Sequence, residues 1–225
     1  VATSCAPAAT PSGAAPTPPP AAPTAPSPPT ATSAPTGPQC EIVVVVPAEP
    51  KVICPLGYDT AKLNYLDPNF SWGLVEMDWN TGKVVPKLAE RWEMVTPTQW
   101  RFYLRKDFKW QNGKPITAQD IAWNINNQTD PDAYDPSLTQ PPRIQRYLKG
   151  KNLAKALDDY TVEINTLEPH LVLPNELPIL NFHEPSSYLE NPKICNEKPI
   201  GNGPYMLVKR VIGDYILWEA NPYFA

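Results

Sequence analysis

The chain has 225 residues, 31 of them proline, with a formal net charge of −4 and an isoelectric point near 5.2. No Lys/Arg-dense face is visible, which argues against nucleic-acid binding, and no apolar run reaches the length of a membrane-spanning helix. Every charged residue lies at or beyond Glu41, which leaves about 185 residues of globular sequence, enough for one domain.

In chain order, Val1–Gln39 is uncharged and mostly Pro and Ala. Such a segment buries too little apolar surface to offset its ordering entropy, so residues 1–40 read as a disordered linker. Glu41–Pro47 is a β-branched run that predicts a strand buried on both faces. Lys62–Leu74 reads as a helix in which Asp67-Pro68 forces a kink, or an end before Asp67. Val75–Val85 reads as a hairpin turning at Asn80-Thr81-Gly82.

The clearest pattern lies between Leu88 and Asn127. Trp100, Phe102 and Leu104 alternate with Arg101, Tyr103 and Arg105, the period of a half-buried strand. Asn112-Gly113 supplies a turn, and Thr117 with Asp120 predicts a helix N-terminus. Ile121, Ala122 and Ile125 recur at helical spacing, and Asp130-Pro131 stops the pattern before a Pro- and Asp-rich loop. Arg143–Leu157 then reads as a helix with a solvated basic side, and Tyr160–Asn165 as an alternating strand. Four prolines between Leu167 and Pro185 leave room only for short helices. His170 and His183 lie in this region without HExxH or acid–His spacing and read as structural. Pro199–Tyr205 reads as a tight turn, and Met206–Glu219 as a hairpin turning at Gly213-Asp214.

Candidate chemistry is sparse. There is no GxSxG, HExxH or Walker loop, so an enzyme is disfavoured. Cys40, Cys54 and Cys195 allow at most one disulfide and show no zinc spacing, so no metal or other cofactor is expected. Ala2-Thr3-Ser4-Cys5 resembles the tail of a bacterial lipobox, with Ala2 where Leu is usual. Cys5 is then either a lipidated N-terminus or a free thiol in a disordered tail; a Pro/Ala/Thr tether suits the first.

The block LAERWE followed by FYLRKDFKWQNGKPITAQDIAWNIN resembles the signature region of family 5 extracytoplasmic solute-binding proteins, the peptide- and nickel-binding components of ABC importers. The matching residues are Leu88, Ala89, Glu90, Trp92, Phe102, Leu104, Arg105, Phe108, Trp110, Gly113, Pro115, Thr117, Ala118 and Asp120. Further likeness lies in PKVICPLGYDT, where Cys54 replaces the usual Asp. It continues in Phe70–Leu74, where Trp72 replaces an acid, and in the turn Gly201-Asn202-Gly203-Pro204-Tyr205.

The resemblance implies an α/β fold: a type II periplasmic-binding-protein-like mixed-sheet lobe (41–78 and 171–225) with a small α+β subdomain (79–170). It also implies that the second lobe is absent from this chain, which is then the N-terminal portion of a longer protein. By the same resemblance the ligand would be a peptide or similar extended solute, met by Asp59, Thr60 and Ala61 as an added strand. Trp72, Asn202 and Gly203 would line the cleft. The partners would be a permease and an ATPase, and the protein a monomer outside the cytoplasmic membrane, anchored through Cys5 or free in the periplasm. A sensor or surface interaction protein on the same fold is the second reading.

Overall fold

The computed structural model describes residues 2–6, 39–45, 53, 67–133, 142–190 and 198–224. The chain divides into two compact units, Val1–Pro47 and Ala48–Ala225.

In the first unit, β1 (Ala2–Ala6) pairs antiparallel with β2 (Gln39–Val43), with Cys5 opposite Cys40 in the backbone register. Within the segment read as a linker, Ala2–Ala6 and Gln39–Cys40 belong to this ribbon, and residues 7–38 lie outside the described residues. The ribbon corrects the expectation of a strand buried on both faces. Val43, Val44 and Val45 are 52%, 62% and 87% exposed, and among the described residues the two-stranded ribbon has no second layer to cover them.

The first described element of the second unit is the helical segment α1 (Asp67–Phe70). Residues 62–66 of the expected helix, with its kink or stop before Asp67, lie outside the described residues, which resume at Asp67. Pro68 stands in the first turn, where its missing N–H removes no helical hydrogen bond. The hairpin β3 (Val75–Asp78) and β4 (Lys83–Pro86) follows, closed by Asp78, whose carboxylate accepts from the Asn80 N–H at 2.9 Å and the Thr81 hydroxyl at 2.6 Å.

The core is a four-stranded antiparallel sheet in the order β5-β6-β8-β7: β5 (Ala89–Thr96), β6 (Gln99–Leu104), β7 (Ala154–Asp158) and β8 (Thr161–Asn165). Trp100, Phe102 and Leu104 face inward as their alternation predicted, and Phe102 is fully buried opposite Val162. Helix α2 (Ala118–Thr129) packs on β7 and β8 through Ile121, Ala122 and Ile125. Each isoleucine buried there contributes about 1.5–3 kcal/mol. Thr117 and Asp120 form a reciprocal capping box, so the N-terminus predicted from sequence is the one observed.

The helix expected over Arg143–Leu157 does not form. A 3-10 turn covers Arg143–Arg146, Asn152 takes a left-handed φ of 55°, and Ala154–Asp158 becomes β7. The helical preference of Ala-Lys-Ala-Leu is overridden by pairing with β8 and burial of Ala154 against α2. The outward basic residues do stay at the surface. Lys151 pairs with Asp132 at 2.7 Å and Lys155 with Glu163 at 2.8 Å.

Short helices α3 (Leu173–Glu176) and α4 (Pro185–Glu190) occupy the proline-rich region. Strands β9 (Tyr205–Val211) and β10 (Tyr215–Ala220) then form the C-terminal hairpin, turning at Gly213. Among the described residues every strand pairing is antiparallel, and no helix is long and apolar enough to cross a membrane.

Candidate functional site

Residues Phe70–Gly73 form a strap held on one side by the Gly201–Tyr205 turn. The Gly203 N–H donates to the Phe70 carbonyl at 2.8 Å. A Cβ on Gly203 would stand 2.6 Å from the Phe70 carbonyl carbon, so the approach admits glycine alone. Asn202 is fully buried. Its Oδ1 accepts from the Trp72 N–H at 2.6 Å and its Nδ2 donates to the Trp72 carbonyl at 3.1 Å. The carboxamide therefore completes the main chain of Trp72 as a neighbouring strand would.

Gln111, next to the Asn112-Gly113 turn, locks the same junction from the subdomain side. Its Nε2 donates to the Tyr205 carbonyl at 2.7 Å, its Oε1 accepts from the Gly201 N–H at 2.9 Å, and its own N–H donates to the Gly201 carbonyl at 2.9 Å. On the far side the Ser71 hydroxyl donates to the Phe182 carbonyl at 2.6 Å.

So anchored, the half-buried Trp72 indole meets Phe224 edge-on at 4.7 Å between centroids and tilts against Phe108 at 5.8 Å. The Lys87 ammonium lies 4.3 Å from the Trp72 ring centroid and 3.2 Å from the Glu76 carboxylate. Burial pushes the Lys87 ammonium below the usual lysine value, and Glu76 opposes that shift. The arrangement offers an aromatic wall beside a partly dehydrated cation, suited to holding an apolar or anionic group and without any nucleophile in place.

Of the predicted site residues, Trp72, Asn202 and Gly203 are brought together here, Asn202 and Gly203 behind the strap and Trp72 at its half-exposed side. Asp59, Thr60 and Ala61 lie outside the described residues, as do Cys54 and Cys195. Sequence reasoning missed Lys87, Gln111 and Phe224. Lys87 carries no local signal, and Gln111 is marked only by its place before the Asn-Gly turn. The two histidines sit in structural settings: His170 pairs with Glu176 at 2.7 Å, and buried His183 packs on Phe70. Among the described residues no group of three or more His, Cys, Asp or Glu is placed to hold a metal ion.

Residues 83–225, more than half of the chain, match the family described as bacterial extracellular solute-binding proteins, family 5 Middle. The chain belongs to this family. Its family 5 relatives include the periplasmic oligopeptide-binding protein OppA of Haemophilus influenzae, 32% identical over 170 residues, which cover 68% of this chain and 31% of the relative. The solved structure of Haemophilus influenzae OppA in complex with RPPGFSPFR superposes with a TM-score of 0.66 at 26% identity, covering 79% of this chain and 37% of that one. The HTH-type transcriptional regulator SgrR of Pectobacterium atrosepticum is 26% identical over 157 residues, covering 66% of this chain and 26% of the regulator. The chain thus spans about a third of the length of the curated relatives it matches. Its α/β architecture is that of the periplasmic binding proteins.

Proposed function

We propose that this chain contributes one wall of a peptide-binding cleft in the substrate-binding component of an ABC importer. The observation that carries the reading is the family match over 83–225, together with an OppA structure of the same fold in complex with the peptide RPPGFSPFR. In this reading Trp72 and Lys87 supply side-chain contacts, and Asp59, Thr60 and Ala61 pair their main chain with the ligand. Asn202, Gly203 and Gln111 are positioning residues that fix the course of the strap. The protein binds and releases its ligand without chemistry, and passes it to a permease and ATPase outside the cytoplasmic membrane, tethered through a lipid on Cys5.

A two-lobed binding protein encloses its ligand by hinge closure. The protein extended to its relatives' length is therefore the test object. Titrating it with a peptide library should quench or shift tryptophan fluorescence and raise the melting temperature, and Trp72→Ala should weaken the best peptide by about tenfold. A library without effect on either signal would overturn the peptide reading, and unchanged affinity in Trp72→Ala would remove Trp72 from the site. Metabolic labelling with a fatty acid, lost in Cys5→Ala, tests the anchor.

The similarity to SgrR supports a second reading, a ligand-sensing module. Neighbouring genes for two permeases and an ATPase favour import; fusion to a DNA-binding or signalling domain favours sensing.

A further inference from the structure

The strand that sequence reasoning read as helix creates an unfilled sheet edge. Strand β7 ends the sheet order β5-β6-β8-β7, so among the described residues one of its sides has no strand neighbour. Ala154 lies opposite Ile164 and Ala156 opposite Val162, while the Asn165 N–H donates to the Leu153 carbonyl at 2.7 Å. That pattern makes Ala154 and Ala156 the residues whose own N–H and C=O groups point away from β8, toward α2.

At Ala154 the outward pair is satisfied by a side chain. Asn126 Nδ2 donates to the Ala154 carbonyl at 2.8 Å, and Asn126 Oδ1 accepts from the Ala154 N–H at 2.8 Å. One carboxamide thus takes the place of one residue of a missing strand. Two residues on, the same outward pair at Ala156 makes no hydrogen bond among the described residues.

Ala156 opens instead on a groove of about 390 Å³, with Gln119, Trp123 and Asn126 of α2 on one wall, Ala154 and Ala156 on the other, and Asp130 among its lining residues. The volume is at the small end of ligand pockets. Edges of this kind are commonly blocked by a charge or a proline. Lys155, between the two alanines and also among the lining residues, pairs with Glu163 at 2.8 Å.

We propose that this groove binds a short extended peptide segment, which places the N–H and C=O of one residue on Ala156 as Asn126 places its carboxamide on Ala154. Trp123 supplies the wall for the ligand's side chain. The site is built on α2 and β7 and shares no residue with the Phe70–Gly73 strap. It does not rest on the importer reading and is tested on the chain itself.

The probe is N-acetyl-trialanine amide, titrated into the ¹⁵N-labelled chain while the Ala156 amide and the Trp123 indole N–H are followed by NMR. Both signals should shift saturably at millimolar peptide, and exchange of the Ala156 N–H with solvent should slow. The same peptide N-methylated at every amide lacks the donors and should bind at least about tenfold more weakly. Ala156→Pro removes the outward N–H without touching the β8 ladder; it should abolish the Trp123 shift while the Ala154 and Ile164 signals keep their positions. No saturable shift at Ala156 up to about 50 mM peptide would overturn the proposal. Equal binding of the N-methylated peptide, or retained binding by a folded Ala156→Pro, would do so as well.

Discussion

Two carboxamides show how single residues determine the shape of this protein. Asn202 and Asn126 each bridge the N–H and C=O of one main-chain residue, Trp72 and Ala154 respectively. The consequence of losing Asn202 is easily stated, because its carboxamide is fully buried and holds both main-chain groups of Trp72. Asn202→Ala should cost about 1–3 kcal/mol for the unsatisfied groups, read as a lower denaturant midpoint at unchanged slope. A loss within about 0.3 kcal/mol would mean that the strap does not depend on the clamp. Glu163 presents the charged counterpart. It is 1% exposed on the sheet face turned away from α2, yet Arg101 at 3.0 Å and Lys155 at 2.8 Å both reach it. Burial alone would raise its pKa; the hydrogen bonds from Lys155, Arg101 and Asn165 outweigh that and hold the carboxyl below its ordinary value.

At the scale of elements, α2 organises the subdomain. Its N-terminus is fastened by the Thr117–Asp120 box, and Asp120 Oδ2 also accepts from the Trp110 indole at 3.1 Å, which ties the cap to the Asn112-Gly113 turn. Thr117→Ala should therefore cost about 1 kcal/mol by chemical denaturation, and Thr117→Ser close to nothing. Equal losses in the two variants would point to packing of the threonine methyl group in place of capping. The neighbouring β7 shows the opposite balance. Its residues favour a helix by themselves, and only the ladder to β8 makes them a strand.

For the whole molecule, the acid limb of stability follows from the sign of its carboxyl shifts. Asp78, Asp107, Asp132 and Asp158 lie below their ordinary value of 3.8, held by hydrogen bonds from Thr81, Arg105, Lys151 and the Tyr160 main chain respectively, and Glu163 lies below 4.5. Groups depressed on folding contribute stability that is complete above the unfolded values and is lost as the pH falls through the folded ones. The denaturant midpoint should stay level from pH 7 to about 5 and decline below about 4; a midpoint that rises on acidification would contradict the assignment. Glu163→Gln should flatten part of that decline, since it is the most buried member of the set.

The family block, the Trp100–Leu104 strand, the Gly113 turn and the Thr117 cap were legible without any structure. Each is decided by residues within a few positions of one another, where steric and capping preferences act directly. The strand at Ala154–Asp158 was hidden because its partner ladder and its helix lie outside the segment, and long-range pairing outweighs local propensity. The same holds for the candidate site. Gly201-Asn202-Gly203 announced a tight turn, but that Asn202 serves the main chain of Trp72, 130 residues away in sequence, depends on the folded chain. Sequence by itself determined the family and the local framework, because those are written in short-range chemistry. Only the tertiary structure decided that Lys87 sits on Trp72, that Gln111 locks the turn, and that Ala156 keeps an open edge, because each depends on which distant groups the fold leaves facing one another.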